Sequence, residues 1–308
     1  YLKKKYRVIG IDNLNNFYDI NLKKDRNKVL KKYNNYKFYN LDISKNSKKL
    51  NYIFKKNKIK IVVHLAAQAN VRYSLENPKA YINNNIIGFY NILESCRELK
   101  VKKFIFASSS SVYGKNYKTK KIFSEEDKTD LPKNLYAATK KSNEVIAHAY
   151  SDLFKIPMIG LRFFTVYGPW GRPDMAPFIF LKSILKKKKI KIFNSGKMYR
   201  DFTYIDDVVN AILKLVNSKL NNKKNHFELF NIGRGKNINL MKFIKTIELV
   251  SGIKSKKKYL PLQRGDMILT QANVKKLNNF ISFYPNTDLR TGLSKFYNWY
   301  INYYKLKK

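Results

Sequence analysis

The chain has 308 residues, 44% of them hydrophobic, a single cysteine and a formal net charge of +42. That length can bury a sizeable core, the lone Cys96 excludes an internal disulfide, and no apolar run approaches the ~18 residues of a membrane span. With no charged-then-apolar leader at its start, the sequence reads as a cytoplasmic protein without a membrane partner.

The charge suggests a polyanion partner. However, only ten of the 63 basic residues are Arg and the rest are Lys. Phosphate and base recognition favours the Arg fork, and these lysines are scattered among Asn, Ile, Tyr and Phe. No specific nucleic-acid partner is therefore expected.

In chain order, Tyr6 to Ile11 is a short apolar run ending in Asp12, which reads as a buried strand. "KIKIVVHLAA" (58–67) and "VKKFIFASSS" (101–110) repeat the pattern. Between them, Ile82, Ile86, Phe89, Leu93 and Cys96 line one face of a helix over 80–99. A second helix is expected over 136–154. "IPMIGLRFFTVYG" (156–168) is again strand-like. Strands alternating with helices specify an α/β fold, a doubly wound parallel sheet joined by right-handed crossovers. After Gly168 the pattern breaks at Pro169, Gly171, Pro173 and Pro177. Residues 169–308 are expected to form mainly a smaller C-terminal substrate lobe. Part of that stretch, roughly 198–232 with its late strand "HFELFNIG" (226–233), is expected to rejoin the 1–168 domain.

Dinucleotide-binding folds follow their first strand with a Gly-rich turn at a helix N-terminus, which cradles the pyrophosphate. An acidic residue ~20 positions later, at a strand end, holds the adenosine ribose. Asp12 fits that residue, but no Gly-x-x-Gly-x-x-Gly precedes it. The fold is thus expected to be N-terminally truncated, without its first strand and Gly-rich loop.

"LYAATKKSNE" spaces Tyr136 and Lys140 four apart, one helical turn on one face. A tyrosine has an ordinary pKa of ~10 and is a poor base. A neighbouring ammonium favours its phenolate, which could then take a proton from a substrate hydroxyl. The spacing alone decides little, because Tyr52 and Lys56 share it. The serine-ended strand "FIFASSSSVYG" supplies the context, since sites of open α/β sheets lie at the carboxyl ends of the strands. There Ser109 could hydrogen-bond the reacting oxygen.

"HLAAQANVRYSLENPKAYINNNIIGFYNILE", "ASSSSVYG", "YAATKKSNE", "RFFTVYGPWGRPDMAPF" and "YRDFTYIDDVV" together resemble the extended short-chain dehydrogenases of the NAD-dependent epimerase/dehydratase family. Within it they look most like bacterial UDP-glucuronate 4-epimerases. The resemblance implies a Rossmann-like fold, NAD as cofactor, a UDP-sugar as substrate and a homodimer built on the helices near 80–99 and 136–154. It implies catalytic roles for Ser109, Tyr136 and Lys140, with the last two also against the cofactor. Asp12 would bind the adenosine ribose, Asp42 and Ile43 would flank the adenine, and Leu65, Ala66 and Ala67 would line the cofactor. Ser110, Ser111, Thr165 and Arg172 match positions that hold a sugar carboxylate, for which an Arg fork is suited. Phe193 would meet the uracil, Arg200 the nucleotide and Asp266 the uridine ribose. Asn70 departs from the family's usual Gly after "QA", and Gln263-Arg264-Gly265 from its usual Gln-Pro-Gly.

The implied activity is 4-epimerisation of UDP-glucuronate to UDP-galacturonate through a 4-keto sugar, for surface polysaccharide precursors. Alternatives are a neutral UDP-sugar 4-epimerase, a nucleotide-sugar dehydratase, or an inactive truncated or polyanion-binding homologue. Dehydratases usually carry an Asp-Glu pair where "SSSVYG" stands. The histidines His64, His148 and His226 are far apart without acidic clusters, so no metal site is expected. "SEEDK" (124–128) reads as a solvated loop and the aromatic tail as a packing helix.

Overall fold

A computed structural model describes residues 1–4, 6–118, 122–220, 226–262 and 267–306. The chain divides into two compact units.

The first unit comprises Tyr1–Val112, Leu131–Arg162 and Val216–Leu229. Its elements begin with β1 (Val8–Asp12), α1 (Ile20–Leu30), β2 (Tyr36–Asn40), α2 (Ser47–Lys56) and β3 (Ile61–His64). Short helices α3 (Tyr73–Glu76) and α4 (Pro78–Tyr81) lead through a π-helical turn (Ile82–Ile87) into α5 (Gly88–Glu98). Then come β4 (Lys103–Ser109), α6 (Leu135–Phe154) and β5 (Met158–Phe163). β1 and β2 pair in parallel, Asp12 opposite Asn40. A four-stranded sheet runs in the order β3-β4-β5-β9, where β9 is Phe227–Ile232. β3 and β4 pair in parallel, His64 opposite Phe106.

The apolar periodicity explains these elements. Leu50, Ile53 and Phe54 of α2 and Phe89, Ile92, Leu93 and Cys96 of α5 share one core with Phe104 and Phe106 of β4. β4 is buried at nearly every position, as expected of a strand covered on both faces. The helix expected over 80–99 is not a single α-helix. Its α-helical part begins at Gly88, and the π-helical turn before it carries the buried Asn85. Side-chain hydrophobicity does not report that change of pitch.

The second unit comprises Tyr113–Asp130, Phe163–Leu215 and Phe230–Lys308. It holds β6 (Thr165–Tyr167), α7 (Ala176–Leu185), β7 (Lys189–Phe193), β8 (Tyr199–Tyr204), α8 (Ile205–Asn217), β10 (Asn237–Asn239), α9 (Leu240–Ser251), β11 (Lys256–Leu260), α10 (Lys275–Ile281) and α11 (Leu289–Tyr304). β6 pairs in parallel with β8, β8 in antiparallel with β10, and β11 in parallel with β7. The aromatic tail is the packing helix α11, with Phe296 and Tyr300 buried in the unit's core. The "SEEDK" segment is more than a solvated loop. Glu125 accepts from the Asn231 backbone N–H at 2.7 Å, and Asp127 from that of Ser124 at 2.9 Å. Among the described residues, no helix is long and apolar enough to cross a membrane.

Candidate active site

The catalytic candidates gather where β4 ends and α6 begins. Asn134 caps α6, its side chain accepting from the Ala137 N–H at 2.9 Å. Such a cap fixes the first turn, and Tyr136 lies in that turn. One turn on, the buried Lys140 donates from Nζ to the Ala107 carbonyl of β4 at 2.7 Å. Two residues beyond Ala107, the buried Ser109 ends the strand and accepts from the Ser111 N–H at 3.2 Å. Ser110 and Ser111 follow in a tight 3-10 turn.

Burial penalises the ammonium and pulls Lys140 down to about 8, while the charge of Glu144 pushes the other way. His64 ends β3 within the core, stacked on Phe104 at 6.2 Å and edge-on to Phe89 at 5.5 Å. Desolvation first, and the Lys140 charge second, push it down to about 3. His64 is therefore a neutral packing residue. Among the described residues, no cluster of three His, Cys, Asp or Glu could hold a metal.

Three neighbours carry no signal in the sequence motifs. Tyr81 sets its ring edge-on to Tyr136, 6.2 Å between centroids. Asn85 accepts from the Gln68 N–H at 2.7 Å and donates to the Gln68 carbonyl at 2.9 Å and to Thr139 Oγ1 at 3.0 Å. Thr139 in turn donates to the Tyr136 carbonyl at 2.8 Å. The π-helical turn thus ties the loop after β3 to the first turn of α6, and such turns are frequent at functional sites. Glu144 is the third, joined to Ser108 and Arg162 in a buried cluster. The "INNN" run and a charged residue inside an apolar strand were the only available hints.

The cofactor candidates lie at the ends of β1 and β3 and just after β2. Asp12 ends β1 and accepts the Leu14 N–H at 2.7 Å, while its carbonyl accepts from Leu41 N–H at 3.1 Å. Asp42 lies just beyond. Burial alone would raise its carboxyl, but hydrogen bonds from Ser44 and Asn13 outweigh that and lower it. Ile43 is buried and packs close to Gly88. Leu65, 52% exposed, and the exposed Ala66 follow β3, with Ala67 half-buried. An apolar surface left open at a strand's carboxyl end is where open α/β sheets take their ligands. Asn70 has φ +126°, a region that favours glycine, which explains the family's preference there. Its side chain compensates by accepting from the N–H groups of Arg72 and Tyr73 at 3.0 and 3.3 Å.

Thr165, Arg172, Phe193 and Arg200 of the second unit are half-buried. Thr165 opens β6, opposite Phe202 of β8. Arg200, two residues earlier in β8, donates to the carbonyls of Tyr199 and Ile268 at 3.0 and 3.2 Å. Phe193 ends β7, opposite Leu260. Arg172 grips the Asp174 carboxylate with Nε at 3.0 Å and Nη2 at 2.6 Å. Its loop is built around Gly168 at φ +145°, where a Cβ would come within 2.4 Å of Ile205 Cγ2. Trp170 at φ +61° packs on Trp299 and Tyr303. Asp266, like Gln263-Arg264-Gly265, lies outside the described residues.

The buried Lys140 on Ala107, the tyrosine one turn before it and the serine-ended strand bring the proton-transfer candidates together on an α/β fold. The model of the NAD dependent epimerase/dehydratase family matches residues 1–233, and the chain belongs to that family. It is 44% identical to UDP-glucuronate 4-epimerase 4 of Arabidopsis thaliana, over 96% of this chain and 70% of that one. It is 46% identical to protein CapI of Staphylococcus aureus, over 99% and 94%. A crystal structure of the UDP-glucuronic acid 4-epimerase of Bacillus cereus, in complex with UDP-glucuronic acid and NAD, superposes with a TM-score of 0.91. Its identity is 33%, covering 98% of this chain and 94% of that one.

Proposed function

We propose that the protein is an NAD-dependent 4-epimerase of a UDP-hexuronic acid, interconverting UDP-glucuronate and UDP-galacturonate through a 4-keto sugar. The observation that carries the chemistry is the Tyr136–Lys140 turn, its ammonium anchored on Ala107 O at 2.7 Å. Tyr136 takes the proton of the sugar 4-hydroxyl and returns it at the end. Lys140 stabilises the negative charge on the Tyr136 oxygen meanwhile. Ser109 donates its hydroxyl hydrogen to the sugar oxygen as it becomes a carbonyl. Bound NAD supplies the chemistry of taking up a hydride and giving it back. Asp12 holds its adenosine ribose, Asp42 and Ile43 its adenine, and Leu65, Ala66 and Ala67 cover its apolar surface.

The acidic sugar is supported by the likeness to the Bacillus cereus and Arabidopsis proteins and by the fork of Arg172. That fork already engages one carboxylate, that of Asp174, in two bonds. Arg172, Thr165, Ser110 and Ser111 hold the sugar carboxylate, and a firmly paired carboxylate resists loss as carbon dioxide from the β-keto acid. Phe193, Arg200 and Asp266 take the nucleotide. The product serves surface polysaccharide precursors in the cytoplasm. A homodimer is supported by exposed apolar side chains on the helices expected to pair, among them Tyr90, Val145 and Leu153.

The test is turnover of UDP-glucuronate against UDP-glucose by the purified full-length protein. The acidic sugar should be interconverted with UDP-galacturonate. Arg172→Lys keeps the charge but loses the fork, and should raise KM for UDP-glucuronate about tenfold. Turnover of UDP-glucose alone refutes the acidic substrate.

A further inference from the structure

A fully buried ion pair lies one helical turn behind Lys140. Glu144 of α6 accepts Arg162 Nε on Oε1 and Nη2 on Oε2, both at 2.8 Å. The same Oε1 accepts the Ser108 hydroxyl at 2.5 Å. The two charged side chains are 3% and 2% exposed. Three elements meet on one carboxylate: α6, β4 through Ser108 and β5 through Arg162. Ser108 stands between Ala107, whose carbonyl takes the Lys140 ammonium, and Ser109.

An apolar cluster of the same volume would hold α6 against the sheet as well or better, because taking two charges out of water costs more than their attraction commonly returns. Packing therefore does not explain why charge is buried here. Its neighbour does. Lys140 is itself buried, and without a nearby anion only the Ala107 carbonyl would offset the desolvation of its ammonium. We infer that Glu144 is a positioning residue for the Tyr136–Lys140 pair: clamped by Arg162 and Ser108, its carboxylate keeps the Lys140 side chain charged and aligned on Ala107. The inference rests on the catalytic reading of Lys140.

The groups facing Lys140 are few. Tyr136 and Glu144 share its helix, His64 faces it from β3, and the Ala107 carbonyl faces it from β4. Arg162 of β5 faces Glu144. His64 is neutral at working pH, and Glu144 is the one carboxylate in this set. Removing it should make Lys140 release its proton at lower pH. Activity that needs the ammonium is then lost earlier on the alkaline side.

The test uses the full-length protein and two variants. Glu144→Gln leaves Arg162 buried without its anion and could fail to fold. Glu144→Gln combined with Arg162→Met removes both charges, which a buried site often tolerates. The ε-carbon resonance of ε-13C-labelled Lys140, assigned by its loss in Lys140→Met, is followed against pH beside the pH profile of kcat. In the double variant the Lys140 midpoint and the alkaline limb should both move down by about one pH unit. A folded double variant whose resonance and limb coincide with the wild type overturns the inference, leaving Glu144 a packing clasp. Wild-type turnover in Lys140→Met overturns instead the catalytic reading beneath it.

Discussion

Two Tyr-x-x-x-Lys pairs lie on α-helices of the first unit, α2 and α6, and they share nothing but spacing. On α2, Tyr52 is 57% exposed and Lys56 donates from Nζ to its hydroxyl at 3.1 Å. That hydrogen bond raises Lys56 above its ordinary value. On α6, Lys140 is buried, donates to a strand carbonyl rather than to its tyrosine, and is pulled down to about 8. The first pair is a solvated surface contact. The second leaves the Lys140 ammonium beside Tyr136, in a place where water cannot screen it. The different settings of the two lysines are thus conferred by what surrounds each helix, and the i, i+4 spacing is common to both.

The largest expected effect separates the two turns directly. Tyr136→Phe should lower kcat by roughly 10²- to 10⁴-fold, the range for a positioned acid or base. Tyr52→Phe should leave turnover within about twofold. Circular dichroism should show both variants folded. Equal effects on kcat would erase the distinction.

The next test concerns stability. His64 has a folded pKa of about 3, against an ordinary 6.5. Between those values the unfolded chain binds a proton that the folded protein refuses, so stability falls as pH drops from 6.5 towards 3. The span corresponds to at most several kcal/mol. His64→Phe, stacked among Phe89 and Phe104, should flatten this acid slope in denaturant titrations at a series of pH values. An unchanged slope would show that other groups govern it.

A smaller effect is kinetic. If Lys140 acts as an ammonium, turnover should decline through about pH 8, where it gives up its proton. Lys56→Met should not move that limb. Smallest of all, Asn70→Gly should change the melting temperature by no more than a few degrees. Relief at φ +126° is offset by the loss of two side-chain acceptor contacts. A large loss would mean that those contacts, rather than the backbone angle, hold the loop.

Much of this was legible in the residues. Apolar periodicity located β3, β4, α6 and β9 to within a few positions, because burial of one face dictates where Val, Ile and Phe recur. Asp12 ends β1, and Tyr136 and Lys140 share a turn because i and i+4 always do. Pro169, Gly171 and Pro173 marked the change of pattern. The departure of Asn70 from glycine was visible too, though not its cause. Other features were illegible for a common reason. The Asn85 links to Gln68 and Thr139 and the Glu144–Arg162 pair join residues far apart in the chain through polar groups. Polar side chains recur without periodicity.

The sequence by itself determined the α/β class, the serine-ended strand and the Tyr136–Lys140 spacing, since these follow from local pattern. Only the tertiary structure decided which of two identical spacings is buried, which anion stands behind its lysine and which histidine is kept neutral. Desolvation and charge proximity arise from strands and helices brought together, and no local stretch of chain contains that information.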